Sequence, residues 1–220
     1  MGLFDFFNKK KNVEPLLNYD RVKDILIKHY SNYNLSDEDF CVLLERFAYV
    51  LGLKEVSIEN YRLLECGQDA IVFEGDDSIV KITTCFYNTM TLTDYVSNSD
   101  FILKPNIEVN CDINNRVFTV LEFDKLDVKS IKNSDVISMY CHLRDDGYLW
   151  YDPKCSNLGK DKDGKVYLID YGQIVYIYDK GHSFVQSELS VHKNMFSDFD
   201  EAYNRRNSFD DCSLSGRRKR

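Results

Sequence analysis

The chain has 220 residues, is 44% hydrophobic and carries a net charge of −8, which suits a folded chain with a real core and excludes a disordered one. An acidic surface repels phosphate backbones, so no nucleic acid is expected among its partners. Seven cysteines, at 41, 66, 85, 111, 141, 155 and 212, form no C-x-x-C pair; this odd, scattered set argues against a disulfide framework or a zinc site and predicts reduced thiols in a cytoplasmic protein.

The start, Met1-Gly2-Leu3-Phe4-Asp5-Phe6-Phe7 with Lys9, Lys10 and Lys11, is too short and wrongly ordered for a secretory signal. Gly2 invites a myristoylation reading, but Phe6 stands where Ser or Thr is needed. At most weak membrane-surface contact through the N-terminus is expected. No apolar run reaches the length needed to cross a bilayer.

Residues 15–50 read as two helices. Leu16, Leu17, Val22, Ile25, Leu26 and Tyr30 recur at helical spacing, and a second helix begins at Ser36 with Asp39 three residues on, an N-terminal cap signature. Gly52 is the expected stop. Residues 1–56 are thus a helical extension.

From residue 57 to 127 the pattern shortens to strands: Tyr61–Leu64, Ala70–Phe73, Ser78–Ile82, Ile107–Val109 and Arg116–Phe123. Glu74-Gly75-Asp76-Asp77 and Asp112-Ile113-Asn114-Asn115 mark turns between them. Residues 86–98 read as one short helix. Next, 131–146 is an amphipathic helix, followed by strands over 157–159 and 165–170 around the turn Asp161-Lys162-Asp163-Gly164. That turn hints at a calcium loop but lacks the later acid such loops need. A last helix spans 188–203, and 205–220 is a flexible basic tail. His142, His182 and His192 have no partner at metal-ligand spacing and read as ordinary helix or loop residues.

The chemistry-bearing stretch is Asp152-Pro153-Lys154-Cys155-Ser156-Asn157-Leu158-Gly159, with Ile169-Asp170-Tyr171-Gly172 after the hairpin. A carboxylate to orient a hydroxyl, a lysine to neutralise a phosphoryl group, and oxygen ligands for magnesium are what phosphoryl transfer needs. Asp-x-Lys-x-x-Asn followed by Asp-x-Gly resembles the catalytic loop and metal-binding turn of the protein-kinase-like superfamily, especially its small truncated Ser/Thr-type members. Upstream, Glu65-Cys66-Gly67-Gln68-Asp69-Ala70-Ile71-Val72-Phe73 resembles the phosphate-covering hairpin, Ile79-Val80-Lys81 the strand-three lysine, and Val120-Leu121-Glu122-Phe123 the adenine hinge.

The resemblance, over about residues 60–175, implies an α+β, two-lobed protein-kinase-like fold. It has a five-stranded antiparallel N-lobe (57–127), a shortened helical C-lobe (128–204) and the N-terminal extension. It implies Asp152 and Lys154 as catalytic residues and Asn157 and Asp170 as magnesium ligands. Lys81, Gly67, Val72, Glu122 and Phe123 would bind ATP, and Asp94, with Asp100 behind it, would be the carboxylate partner of Lys81. Cofactors are ATP and Mg2+; a protein substrate or binding partner is expected.

Departures are informative. Trp150-Tyr151 replace the usual His-Arg, so switching by activation-loop phosphorylation is not expected. Ile79 replaces a small residue in the adenine pocket, and Gly159 replaces a larger apolar one beneath it. Only fifty residues follow Asp170, too few for a peptide-gripping platform. The leading expectation is an ATP- and Mg-dependent phosphotransferase. The alternatives are an inactive pseudokinase acting as an interaction module and a small-molecule kinase for a sugar, lipid or aminoglycoside.

Overall fold

In the computed structural model, residues 16–67, 70–84, 96–170, 173–177, 189, 192 and 195–215 are described, with side chains in the last helix up to 206. The fold is mixed α+β and divides into two compact units, 1–97 with 104–125, and 98–103 with 126–220.

The first unit opens with α1 (Tyr19–His29) and α2 (Asp37–Leu53). The Asn18 side chain accepts from the Arg21 N–H and caps α1. At α2 the Ser36 hydroxyl accepts from the Asp39 N–H while the Asp39 carboxylate accepts from the Ser36 N–H, the reciprocal cap expected from the sequence. Gly52, expected as the stop, lies inside α2. The chain reverses instead at Glu55, whose φ is 56°. The Glu55 N–H donates to the Gly52 carbonyl and the Val56 N–H to the Leu51 carbonyl, so the terminal carbonyls are satisfied by a Schellman arrangement that needs no glycine.

Five strands follow: β1 (Arg62–Cys66), β2 (Ala70–Glu74), β3 (Ser78–Thr84), β4 (Ile107–Ile113) and β5 (Arg116–Asp124). They form one antiparallel sheet in the order β1-β2-β3-β5-β4. The β4–β5 turn is only Asn114-Asn115, both at positive φ, the backbone that a two-residue hairpin requires and asparagine tolerates. The short helix expected over 86–98 falls largely on residues outside those described.

Strand periodicity gives the sheet two distinct faces. Ile71, Phe73, Val80, Ile82, Phe118 and Val120 are buried with Val22, Leu26, Leu43, Phe47 and Val50 of the helices in one core. Each such large apolar side chain contributes about 1.5–3 kcal/mol when fully buried. Tyr30 donates its hydroxyl to the Ile82 carbonyl at 3.1 Å and meets Phe118 edge-on. Lys54, capping α2, reaches Glu122 of β5 at 3.1 Å. The Glu122 side chain is fully buried, and neither of its oxygens receives a hydrogen bond in good geometry.

The second unit contains α3 (Asn133–Asp145), β6 (Tyr148–Trp150), β7 (Leu158–Lys160), β8 (Val166–Leu168), β9 (Ile174–Tyr176) and α4 (Ser197–Ser215). β7 and β8 form a hairpin closed by Asp161, whose carboxylate accepts from the Asp163 and Lys165 N–H groups. The expected ladder β7–β8 is joined by one the sequence did not suggest, β6 with β9. Tyr148, Leu149 and Trp150 are all buried, so no alternation betrays the strand. Of the helix expected over 188–203, only 197–203 fall in α4, and α4 runs on to Ser215, so 205–215, expected as a flexible tail, continue the helix.

Residues just after β5 run beside β7: the Asp127 N–H donates to the Lys160 carbonyl and the Lys160 N–H donates back. This lays Leu126 on Gly159, where an added Cβ would stand 2.7 Å from the Leu126 Cβ. The bulk missing at Gly159 is thus supplied by Leu126.

Four substitutions check this packing by urea denaturation. Lys54→Met leaves a buried carboxylate unpaired and is expected to cost about 3 kcal/mol, while Lys54→Met with Glu122→Leu recovers most of it. Gly159→Ala is expected to destabilise by about 1–3 kcal/mol through overpacking. Gly52→Ala, with no atom within 4 Å of the new methyl, is expected to stabilise by about 0.5–1 kcal/mol, the reverse of what a left-handed helix stop would give.

Candidate functional site

β6 ends at Trp150 and the chain turns through Asp152-Pro153-Lys154 into a single 3-10 turn, Cys155–Asn157. The proline fixes its own φ and favours extended backbone at Asp152. Asn157, at the end of the turn, is buried. Its amide nitrogen donates to both the Asp152 backbone carbonyl and Asp152 Oδ2, each at 2.9 Å. With both amide protons committed to Asp152, the orientation of the amide is fixed and Asn157 Oδ1 is the oxygen left for another ligand.

Lys154 Nζ stands 2.5 Å from the same Oδ2 of Asp152. The Asp152 carboxylate therefore carries an amide and an ammonium on one oxygen. Oδ1 has neither, and it is the acceptor through which a hydroxyl proton could be received. The Asp152 side chain is 35% exposed and that of Lys154 53%, so both are within reach of a ligand.

Asp170 follows β8, and its position is set by the hairpin. Leu158 pairs with Leu168, and the Ile169 N–H donates to the Asn157 carbonyl at 2.9 Å. Asp170 is the next residue along, so Asn157 and Asp170 leave the same end of the β7–β8 ladder. Asp170 is exposed. An amide oxygen and a carboxylate are the hard oxygen donors that magnesium takes, the remaining positions going to water and phosphate. Among the described residues no group of three or more His, Cys, Asp or Glu side chains could hold a metal by itself.

In the first unit the register sorts the other expected residues. Val72 pairs with Lys81 and Lys81 with Leu121, placing them in one row on the sheet face opposite the helices. Ile79 and Phe123, also paired, share that face. Glu122 does not: one residue along β5, its side chain turns to Lys54 and the helix core, and its carbonyl accepts from the Asn106 N–H. Gly67 lies at the end of the β1–β2 hairpin, its N–H donating to the Ala70 carbonyl at 2.8 Å. Asp94, Tyr171 and Gly172 lie outside the described residues.

The sequence offered no hint of a second polar cluster. His192, read as an ordinary residue, is buried, as are Tyr140 and Asp200. His192 Nε2 is 2.9 Å from the Trp150 carbonyl and Nδ1 is 3.2 Å from the Tyr140 hydroxyl, which donates to Asp200. Burial first, then Asp200, pushes the Tyr140 phenol well above its ordinary value, so it stays protonated and serves as a donor.

No protein-family model matches the chain, and no curated protein does. Solved structures to which it is similar include a crystal structure of WbdD, 15% identical over 61% of this chain and 36% of that one, with a TM-score of 0.34. A co-crystal structure of WbdD with a kinase inhibitor is 16% identical over 62% and 38%, at 0.34. A structure of the bifunctional kinase-methyltransferase WbdD is 16% identical over 58% and 34%, at 0.33. The chain spans little more than a third of the length of these proteins.

Proposed function

We propose that the chain is a phosphotransferase that moves the γ-phosphate of ATP to a hydroxyl with magnesium as cofactor. The observation that carries this reading is the double donation of Asn157 to Asp152, combined with the Ile169 tie that brings Asp170 beside Asn157. One loop and one hairpin end thereby present a proton acceptor, a cation and two hard oxygen donors, the set that phosphoryl transfer uses.

In this reading Asp152 Oδ1 orients the attacking hydroxyl and takes its proton. Lys154 shifts from Asp152 to the γ-phosphate when nucleotide is present, and Asn157 and Asp170 hold the magnesium. Lys81 holds the α and β phosphates, with Val72 and Gly67 against the nucleotide and Phe123 at the adenine end. The contribution of Glu122 is confined to its backbone, because its carboxylate is buried against Lys54. A protein hydroxyl is the proposed acceptor, with a small-molecule hydroxyl the other route for the same chemistry. A nucleotide-binding module without transfer is favoured by one observation: Lys154 and Asp152 already neutralise each other.

Purified full chain with γ-labelled ATP and Mg2+ separates these. Transfer to protein is expected, lost on chelating the metal and in Asp170→Ala, and reduced about 10²–10⁴-fold in Asp152→Asn, with exposed Glu201→Gln unchanged. Label on an added sugar or lipid but on no protein would move the acceptor to small molecules. Thermal stabilisation by Mg-ATP without any transfer would leave the module reading. Transfer unaffected in both aspartate variants would sink the assignment.

A further inference from the structure

The loop bearing Asp152 begins where the β6 ladder stops, at Trp150, which pairs with Ile174 of β9. A ladder end leaves backbone groups to be satisfied by other partners, and a buried carbonyl without one costs free energy comparable to a lost hydrogen bond. His192 supplies that partner: its Nε2 stands 2.9 Å from the Trp150 carbonyl. A carbonyl only accepts, so Nε2 carries a proton. The next residue is fixed from two sides, the Tyr151 N–H donating to the Gln173 carbonyl at 2.7 Å and the Tyr151 ring meeting the His192 ring edge-on at 4.9 Å. Asp152 follows immediately, gripped by Asn157.

His192 is itself located by other elements. Tyr140 of α3 stacks on it and brings its hydroxyl to Nδ1. The single hydroxyl proton of Tyr140 goes to Asp200 of α4, so a lone pair of the same oxygen faces Nδ1 and accepts when Nδ1 is protonated. Phe196 packs on the imidazole at 4.9 Å. Polar contacts therefore run from Asp200 through Tyr140 to His192, which stacks on the Tyr140 ring and bonds the carbonyl two residues before Asp152 from Nε2.

We propose that His192 is a positioning residue for the Asp152 loop, acting through the Trp150 carbonyl and held in place by Tyr140 and Asp200. The C-terminal segment thus sets the catalytic carboxylate from behind, where the loop has no arginine or histidine of its own. The proposal deepens the phosphotransferase reading and rests on it for its kinetic consequence; its structural consequence is measured separately.

Two substitutions divide the roles of His192. His192→Phe keeps a ring and removes the donor, whereas His192→Gln restores an N–H near the position of Nε2. In His192→Phe, kcat for transfer is expected to fall about 10–100-fold, since a small misplacement of a reacting group has effects of this order, with KM for ATP within about twofold. His192→Gln is expected to recover most of the loss. Hydrogen exchange of amides in 151–157 is expected to quicken in His192→Phe, with those of 62–84 and 107–124 unchanged and His192→Gln close to the parent.

Unchanged exchange in 151–157, or a His192→Gln variant as impaired as His192→Phe, would overturn the proposal. If the parent transfers no phosphate, the phosphotransferase reading fails, and the exchange data alone uphold or overturn the positioning role. If His192→Phe does not fold, Tyr140→Phe takes its place: faster exchange confined to 151–157 upholds the proposal, and no change there overturns it.

Discussion

Both amide protons of Asn157 go to Asp152, and the chemistry available to the second unit depends on that commitment. It anchors one carboxylate oxygen, leaves the other open, and fixes which side of the amide presents oxygen. The β7–β8 hairpin is tied to the same residue through the Ile169 N–H, which donates to the Asn157 carbonyl one residue before Asp170. A buried amide whose nitrogen makes two bonds is a rigid reference point, because losing either bond inside the protein leaves a costly unpaired group.

The first unit is organised by a different constraint, the alternation of side chains along a strand. Packing α1 and α2 onto one face of the sheet assigns Val80, Ile82, Phe118 and Val120 to the core. By the same rule it assigns Val72, Lys81 and Leu121 to the opposite face. A slip of one residue would exchange these sets, so the helices fix where Lys81 is presented as firmly as they fix the core. They are structural partners of the strand bearing Lys81, and the Tyr30 hydroxyl bonded to the Ile82 carbonyl is the most direct tie.

Two buried polar arrangements cost stability and so ask for a reason. The Lys54–Glu122 pair places a carboxylate in the core with one cation and no well-formed hydrogen bond, where an apolar pair of similar volume would serve stability as well or better. It fastens the end of α2 to β5 in one register, a specificity that oily side chains supply poorly. The Tyr140–His192–Asp200 set is better satisfied, and it connects two helices to the strand that leads into Asp152.

The sequence by itself determined the elements whose causes are local. Ser36 and Asp39 cap a helix because they are three residues apart, and Asp161 closes its hairpin with its own carboxylate; the turn expected over Asp112–Asn115 is there but tighter, only Asn114-Asn115 bending while Asp112 and Ile113 stay in β4. Asp152, Lys154 and Asn157 were legible as a group for the same reason, lying within one turn of each other. Gly52 misled because the terminal carbonyls of α2 found their donors without it. Only the tertiary structure decided that Glu122 faces Lys54, that Leu126 fills the space above Gly159, and that His192 bonds Trp150. Those partners are tens of residues apart, and no local rule of spacing or propensity brings them together. They meet because the helices and sheets that carry them have apolar faces to bury.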